Sequence, residues 1–86
     1  MSTAYFLINA RLNHETEIIE KIKLVLDHSK IPYEVLGVFG VYDILVKISA
    51  DTDEILRKII LERLRKIDYI ESAITMIVNE EQEVFC

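Results

Sequence analysis

Both glycines of this chain fall within residues 37–49, and this stretch limits how the chain can fold. After Gly40 the residues alternate between the two faces of a predicted strand, and one face is apolar. That face holds Tyr42, Ile44, Val46 and Ile48. A second β-branched and aromatic run, residues 33–39, precedes the strand, so that only Gly40 and Val41 separate the two runs. Because glycine adopts backbone angles that other residues resist, the pattern predicts a tight β-hairpin in the middle of the chain.

The segment before the hairpin predicts a strand followed by a helix. Residues 4–12 alternate like a strand, and from Ile18 the apolar residues recur at helical spacing. Asn13 is the expected N-cap, because its side-chain oxygen can accept from the free amides of a helix that begins directly after it. Pro32 disfavours helical angles in the residue before it, so we expect the helix to end near Lys30.

The segment after the hairpin predicts a second helix and a last strand. Asp51 is the expected N-cap, and Glu54, three residues later, can reach back to it. The basic residues Arg63, Arg65 and Lys66 are expected in the last turn of this helix, where they suit the helix dipole. Residues 69–78 then form the predicted fourth strand.

The resulting order, β-α-β-β-α-β, predicts an α+β fold of the ferredoxin-like type. This fold has an antiparallel four-stranded sheet with both helices on one face. Depending on the register, the other face shows Tyr5, Leu7, Leu45, Ala73, Thr75 and Ile77. Such a face is too apolar to be left in water, and the sheet of a second copy is the simplest cover. We therefore expect a dimer packed sheet to sheet.

Composition restricts the class of protein further. Residues 1–86 make one domain, with 79–86 as a short acidic tail, and the net charge of -5 disfavours direct binding of nucleic acid. The lone Cys86 allows no disulfide or thiolate metal site within the chain, which suits a reducing cytoplasm. No stretch approaches the ~18 consecutive apolar residues of a membrane helix. We expect a cytoplasmic protein without cofactor, metal or membrane contact.

Motifs for catalysis are not found in the sequence. It contains no phosphate-binding glycine loop, zinc ligand set or Ser-His-Asp pattern. His14 and Glu15 could act as an acid and a base, but an exposed pair at a helix start is far more often used for capping and solvation. We therefore expect no catalytic residues.

Four segments together resemble the ligand-binding domain, or RAM domain, of the Lrp/AsnC transcription regulators. They are GVYDILVKI at 40–48, DTDEIL at 51–56, LRKID at 64–68 and IESAITMIV at 70–78. The resemblance extends over residues 4–80. It implies a dimer packed sheet to sheet, dimers assembled into an octameric or decameric ring, and a free amino acid bound between dimers. Full-length members carry a helix-turn-helix DNA-binding domain before this one, so the chain resembles a stand-alone form.

The resemblance also assigns binding residues. The family's contacts would fall on Gly40, Val41, Tyr42 and Asp43 in the hairpin and on Ser72 and Thr75 in the last strand. Glycine-turn amides and two hydroxyls can bind a carboxylate, and Asp43 can accept from an α-ammonium group. Ala73 departs from the family, which usually has a threonine there. Core packing of Tyr42 and a turn contact of Asp43 are comparable alternatives to their ligand roles.

The leading hypothesis is an amino-acid-sensing regulatory module, not an enzyme, that acts alone or by mixed assembly with a full-length Lrp-type regulator. The alternatives are a cofactor-free enzyme of the same dimeric fold and a structural adaptor without ligand. An enzyme should have a closed pocket with a perturbed acid or base, whereas a sensor should place its polar cluster at a subunit boundary.

Overall fold

A computed structural model describes residues 2–78 and confirms the ferredoxin-like α+β fold. The predicted acidic tail, 79–86, and its Cys86 lie outside the described residues. The elements in chain order are β1 Ser2–Ala10, α1 Glu15–Ser29, β2 Tyr33–Gly37, β3 Ile44–Ala50, α2 Asp53–Glu62, the 3₁₀ turn Leu64–Lys66 and β4 Ile70–Ile77. One antiparallel sheet has the order β2-β3-β1-β4, which makes β2 and β4 the edge strands.

The core lies between the sheet and the two helices. Burial alternates along β3 and along β1 from Thr3 onward, because successive side chains of a strand point to opposite faces. The buried strand residues are Ala4, Phe6, Ile8, Ala10, Ile44, Val46, Ile48 and Ala50, and the buried residues beyond the strands are Ile18, Ile22, Leu26, Leu56, Ile59, Ile60 and Leu64. Burial of each large apolar side chain of this core stabilises the folded state by about 1.5–3 kcal/mol. This burial fixes the central strands on which the candidate site is built.

The predicted hairpin is present, but its turn is wider than predicted. The backbone N–H of Val38 donates to the carbonyl of Asp43 at 2.8 Å. Backbone hydrogen bonding between the two sides of the hairpin therefore extends one residue pair beyond Gly37 and Ile44. A connection of four residues, 39–42, replaces the predicted two-residue turn. Gly40 has a φ of 136°, a value that favours glycine. Tyr42 is half-buried and lies outside β3, so its predicted place in the strand is wrong.

Both predicted helix caps are displaced by one residue. Asn13 has a φ of 70° and belongs to a turn in which the His14 N–H donates to the Arg11 carbonyl at 3.0 Å. His14 therefore takes the N-cap position of α1, without a side-chain cap. Thr52 caps α2 instead of Asp51, because its hydroxyl accepts from the Ile55 N–H at 3.3 Å.

The C-terminal end of α2 also differs from the prediction. The helix ends at Glu62, and the predicted basic last turn is divided between its C-cap, Arg63, and the separate 3₁₀ turn Leu64–Lys66. Leu64 is fully buried in this turn. The turn thereby positions Arg65 beside β4, which it contacts through Thr75.

The register of β4 corrects the predicted outer face of the sheet. Phe6, which faces the helices, pairs directly with Thr75, and directly paired residues of antiparallel strands share a face. Ala73, Thr75 and Ile77 thus face the helices, and the outer residues of β4 are Ser72, Ile74 and Met76. The outer face remains apolar, because Ile74 and Met76 are 46% and 49% exposed beside the half-buried Tyr5, Leu7 and Leu45.

Neither helix of the described chain has the length and apolar character that crossing a membrane would require.

Candidate ligand-binding site

Asp43 connects the hairpin loop to the end of β1. Its backbone N–H donates to the Ile8 carbonyl at 3.0 Å, and its side-chain Oδ2 accepts from the Ala10 N–H at 3.0 Å. A carboxylate has two oxygens with about four acceptor positions, so this contact leaves Oδ1 able to accept from a ligand. The predicted turn-stabilising role and the predicted ligand role are therefore compatible at this residue.

Ser72 lies at the same end of the sheet, on the outer face of β4. It pairs with Asn9 of β1, whose Nδ2 donates to Ser72 Oγ at 3.1 Å. A hydroxyl that accepts in this way still has its own proton, so Ser72 can donate to a ligand. Asn9 immediately precedes Ala10, the partner of Asp43, so the two contacts lie one residue apart on β1.

Asn9 has no role among the predicted binding residues. The signal that would have identified it was its position, because it is an amide that follows Tyr5 and Leu7 on the same strand face. In the structure it orients the hydroxyl of a predicted binding residue.

The loop that bears Gly40 and Val41 supplies backbone donors beside this end of the sheet. Within residues 2–78, the N–H groups of Gly40 and Val41 donate to no backbone carbonyl. The neighbouring Phe39 is fully exposed and Val41 is 81% exposed, so the loop tip presents apolar side chains to solvent. A donor-rich turn with an apolar tip is suited to a ligand enclosed against a second surface.

Thr75 lies apart from the other predicted binding residues. Its side chain faces the helices, where its Oγ1 accepts from Arg65 Nη2 at 3.3 Å. Ala73, which pairs with Ile8, lies on that same face. The substitution of alanine for the family's threonine therefore affects the helix side of β4 and not the Ser72 side. Within one protomer, the hairpin residues Gly40, Val41, Tyr42 and Asp43 lie at the same end of the sheet as Ser72, and Thr75 lies on the helix side of β4.

The chemistry at this end of the sheet matches a zwitterion. Asp43 Oδ1 can accept from an ammonium group, while Ser72 and the loop amides can donate to a carboxylate. Within residues 2–78, no three His, Cys, Asp or Glu residues lie close enough together to hold a metal ion.

Comparison with known proteins gives two relatives of the chain's own length. The chain is 34% identical to FFRP-DM1, with a TM-score of 0.76, and the match covers 92% of this chain and all of that one. It is 31% identical to the hypothetical protein PHS023 of Pyrococcus horikoshii, with a TM-score of 0.75, covering 99% of this chain and all of that one. No family model and no curated protein sequence matches the chain.

Two longer proteins share the fold at lower identity. AsnC from E. coli is 17% identical, with a TM-score of 0.75, and the match covers 99% of this chain and 55% of AsnC. The transcriptional regulator NMB0573 of Neisseria meningitidis, solved as a complex with L-Met, is 13% identical, with a TM-score of 0.67. That match covers 96% of this chain and 53% of NMB0573, so the shared domain is about half of each longer protein.

Proposed function

The chain belongs to the Lrp/AsnC family of regulators, and on that premise we propose that it is a regulatory module that senses an amino acid or a related small metabolite. The observation that carries the proposal is the complementary pair of groups at one end of the sheet. Asp43 offers a carboxylate oxygen on the β3 side of β1, and the Asn9–Ser72 contact orients a hydroxyl on the β4 side of the same strand end. An α-amino acid presents the matching ammonium and carboxylate groups on a single carbon atom. The complex of NMB0573 with L-Met supports a ligand of this class.

We place the ligand between dimers of an assembly of this chain. The outer sheet face supports a sheet-to-sheet dimer, because Leu36, Ile74 and Met76 are each about half exposed there. The exposed Phe39 and Val41 beside the polar groups support a further contact at the loop, which would enclose the ligand. A ring of four or five dimers is the assembly we propose.

Ligand binding would act by changing this assembly. A ligand shifts an equilibrium only by its difference in affinity for the two states, and a site completed by a second dimer binds better in the ring than outside it. Amino-acid supply would thus control how much ring is present. In the same way, the chain would modulate a full-length Lrp-type regulator by entering a mixed ring.

The test is a thermal-shift screen of the twenty amino acids against the parent protein. A ligand that binds only the folded state, at ~100 times its dissociation constant, adds ~2.7 kcal/mol to the free energy of unfolding. The informative variants are Asp43→Asn, which retains an acceptor for the Ala10 N–H but removes the negative charge, and Ser72→Ala. Ser49→Ala is the matched control, because Ser49 faces the same side of the sheet at its opposite end.

We expect at least one amino acid to stabilise the parent and the Ser49→Ala control equally. Its effect should be lost in Asp43→Asn and in Ser72→Ala. Stabilisation that is unchanged in both of these variants would show that the amino acid binds elsewhere. No stabilisation by any of the twenty would favour the adaptor function.

A further inference from the structure

The outer face of the sheet carries two opposite charges beside its apolar residues. The strand pairing places Glu34 of β2 directly opposite Lys47 of β3, and Lys47 directly opposite Tyr5 of β1. Lys47 lies between the buried Val46 and Ile48 along β3, so its side chain points away from the helices, and Glu34 shares this face. Among the outward-facing residues that the pairing places in the described strands, Glu34 is the one acid and Lys47 the one base. The charge of this strand face is therefore confined to one adjacent pair.

Glu34 and Lys47 line a hollow at the β2 edge of the sheet without forming an ion pair. The hollow has a volume of about 160 Å³, and Pro32, Tyr33 and Ser49 complete its lining. Directly paired residues of antiparallel strands have Cβ atoms only about 4.5–5.5 Å apart, so the two charged side chains are near enough to meet. Within residues 2–78, however, no ion pair joins them. The carboxylate and the ammonium group are therefore both available to charges from another chain, and the hollow leaves room between them.

A second copy of this chain matches these two charges. Covering the outer face with another sheet takes Glu34 and the half-buried Lys47 out of water, which is unfavourable unless each charge obtains an opposite charge. A second copy brings one group of each sign on the same face. In a two-fold dimer, a contact between Glu34 of one copy and Lys47 of the other occurs twice, because each copy uses the same surface. Charge complementarity thus favours another copy of this chain as the cover of this face.

We propose that Glu34 and Lys47 select the dimer partner in the sheet-to-sheet dimer of the proposed function, on which this inference rests. Glu34 of each copy pairs with Lys47 of the other copy across the interface. A chain that presents a like charge or no charge at these positions is disfavoured as a partner, because specificity depends on what the wrong pair costs as well as on what the right pair gains. The chain therefore forms dimers with itself and enters a mixed ring as whole dimers.

The test exchanges the two charges within one chain. The double variant Glu34→Lys with Lys47→Glu keeps the net charge and still pairs with itself, but it presents like charges to the parent. Parent protein labelled with ¹⁵N is unfolded in urea together with the unlabelled variant, the mixture is refolded, and the complexes are counted by native mass spectrometry. Glu20→Lys with Lys23→Glu is the matched control, because it exchanges two exposed charges on α1 and leaves the sheet unchanged.

We expect the double variant to associate with itself as tightly as the parent does. Mixed dimers of the double variant and the parent should be roughly tenfold or more below statistical proportion, because like charges meet twice in each of them. Rings formed in this mixture should contain even numbers of labelled chains. The α1 control should mix with the parent in statistical proportion, at the level of dimers and of rings.

The two single variants give an independent test. Glu34→Lys and Lys47→Glu should each associate with themselves roughly tenfold or more weakly than the parent, and an equal mixture of the two should recover the association. Free mixing of the double variant with the parent would show that the two charges pair within one chain. That result would overturn the proposal and leave both the dimer and the amino-acid site in place, whereas a parent that stays monomeric would refute the dimer itself.

Discussion

The side chains of Ser72 and Thr75 lie on opposite faces of β4, although only two residues separate them. Ser72 contacts Asn9 on the outer face, and Thr75 contacts Arg65 on the helix side. An odd separation along a strand always places two side chains on different faces. Within one protomer, the two hydroxyls that the family resemblance assigns to one site therefore lie on different faces of β4.

The contact between Asp43 and the Ala10 N–H should be visible in stability as well as in binding. Asp43→Ala leaves a partly buried N–H without its acceptor, which we expect to cost about 1–3 kcal/mol of unfolding free energy. Asp43→Asn retains an acceptor oxygen and should cost less. Urea denaturation measures both variants. Equal losses would indicate that the charge of Asp43, and not the hydrogen bond, supports the fold.

The two glycines should respond differently to substitution by alanine. A Cβ at either position would meet no atom within 4 Å, so only backbone conformation decides the result. Gly40→Ala must hold a φ of 136°, and we expect it to destabilise the protein by about 1–3 kcal/mol. Gly37→Ala carries no such constraint and should be neutral or slightly stabilising. A neutral Gly40→Ala in thermal unfolding would contradict the conformation of this loop.

Thr52, and not Asp51, should be the residue whose side chain supports the start of α2. Thr52→Ala removes the acceptor of the Ile55 N–H and should cost about 1 kcal/mol. Asp51→Ala is the control and should lose only the weaker interaction of its charge with the helix dipole. Guanidinium denaturation of the two variants compares them directly, and a larger loss in Asp51→Ala would restore the N-cap predicted from the sequence.

The hydrogen bond from Tyr33 to Asp27 should make stability depend on alkaline pH. The Tyr33 hydroxyl donates to Asp27 Oδ1 at 2.6 Å, and this contact raises the pKa of Tyr33 above its ordinary value of 10.0. The folded state thus favours the protonated phenol. The stabilisation is fully present below pH 10 and is lost as the pH rises through the higher pKa of the folded state.

Comparison of the parent with Tyr33→Phe tests this dependence. The variant should be less stable than the parent at neutral pH, and the difference should narrow as the pH rises above about 10. Urea denaturation across this pH range measures it. If the difference in unfolding free energy stays constant across the range, the hydrogen bond donated by the Tyr33 hydroxyl does not stabilise the protein.

The proposed dimer should be sensitive to charge on the outer sheet face. Leu45→Lys would bury an unpaired ammonium group between two sheets, and we expect it to weaken association by about 3 kcal/mol. Leu24→Lys adds the same charge on α1 at a side chain that is already 69% exposed, and it should leave association unchanged. Sedimentation equilibrium of parent and variants at equal concentrations measures the effect. A parent that is monomeric at micromolar concentration would refute the sheet-to-sheet dimer.

The sequence determined the order of the elements and the composition of the core. Apolar alternation in β1 and β3 and the helical spacing of Ile18, Ile22 and Leu26 are local patterns, and a residue's face follows from its place in such a pattern once the element is recognised. The sequence also indicated Gly40 and Asp43 as the polar centre of the hairpin. Both conclusions depend on neighbours along the chain, which a sequence displays directly.

Only the tertiary structure decided which residues of different strands share a face and a contact. The pairing of Phe6 with Thr75 and of Asn9 with Ser72 is a register between distant segments, and shifting it by one residue would exchange the faces of β4. The tertiary structure also decided the helix caps, because the N-cap is the residue at which the helix begins. Asp51 and Thr52 are adjacent and can both cap, and the structure uses Thr52. Asn13 lies instead in the turn before α1. Register therefore placed Ser72 beside Asn9 and Thr75 beside Arg65, on opposite faces of the sheet.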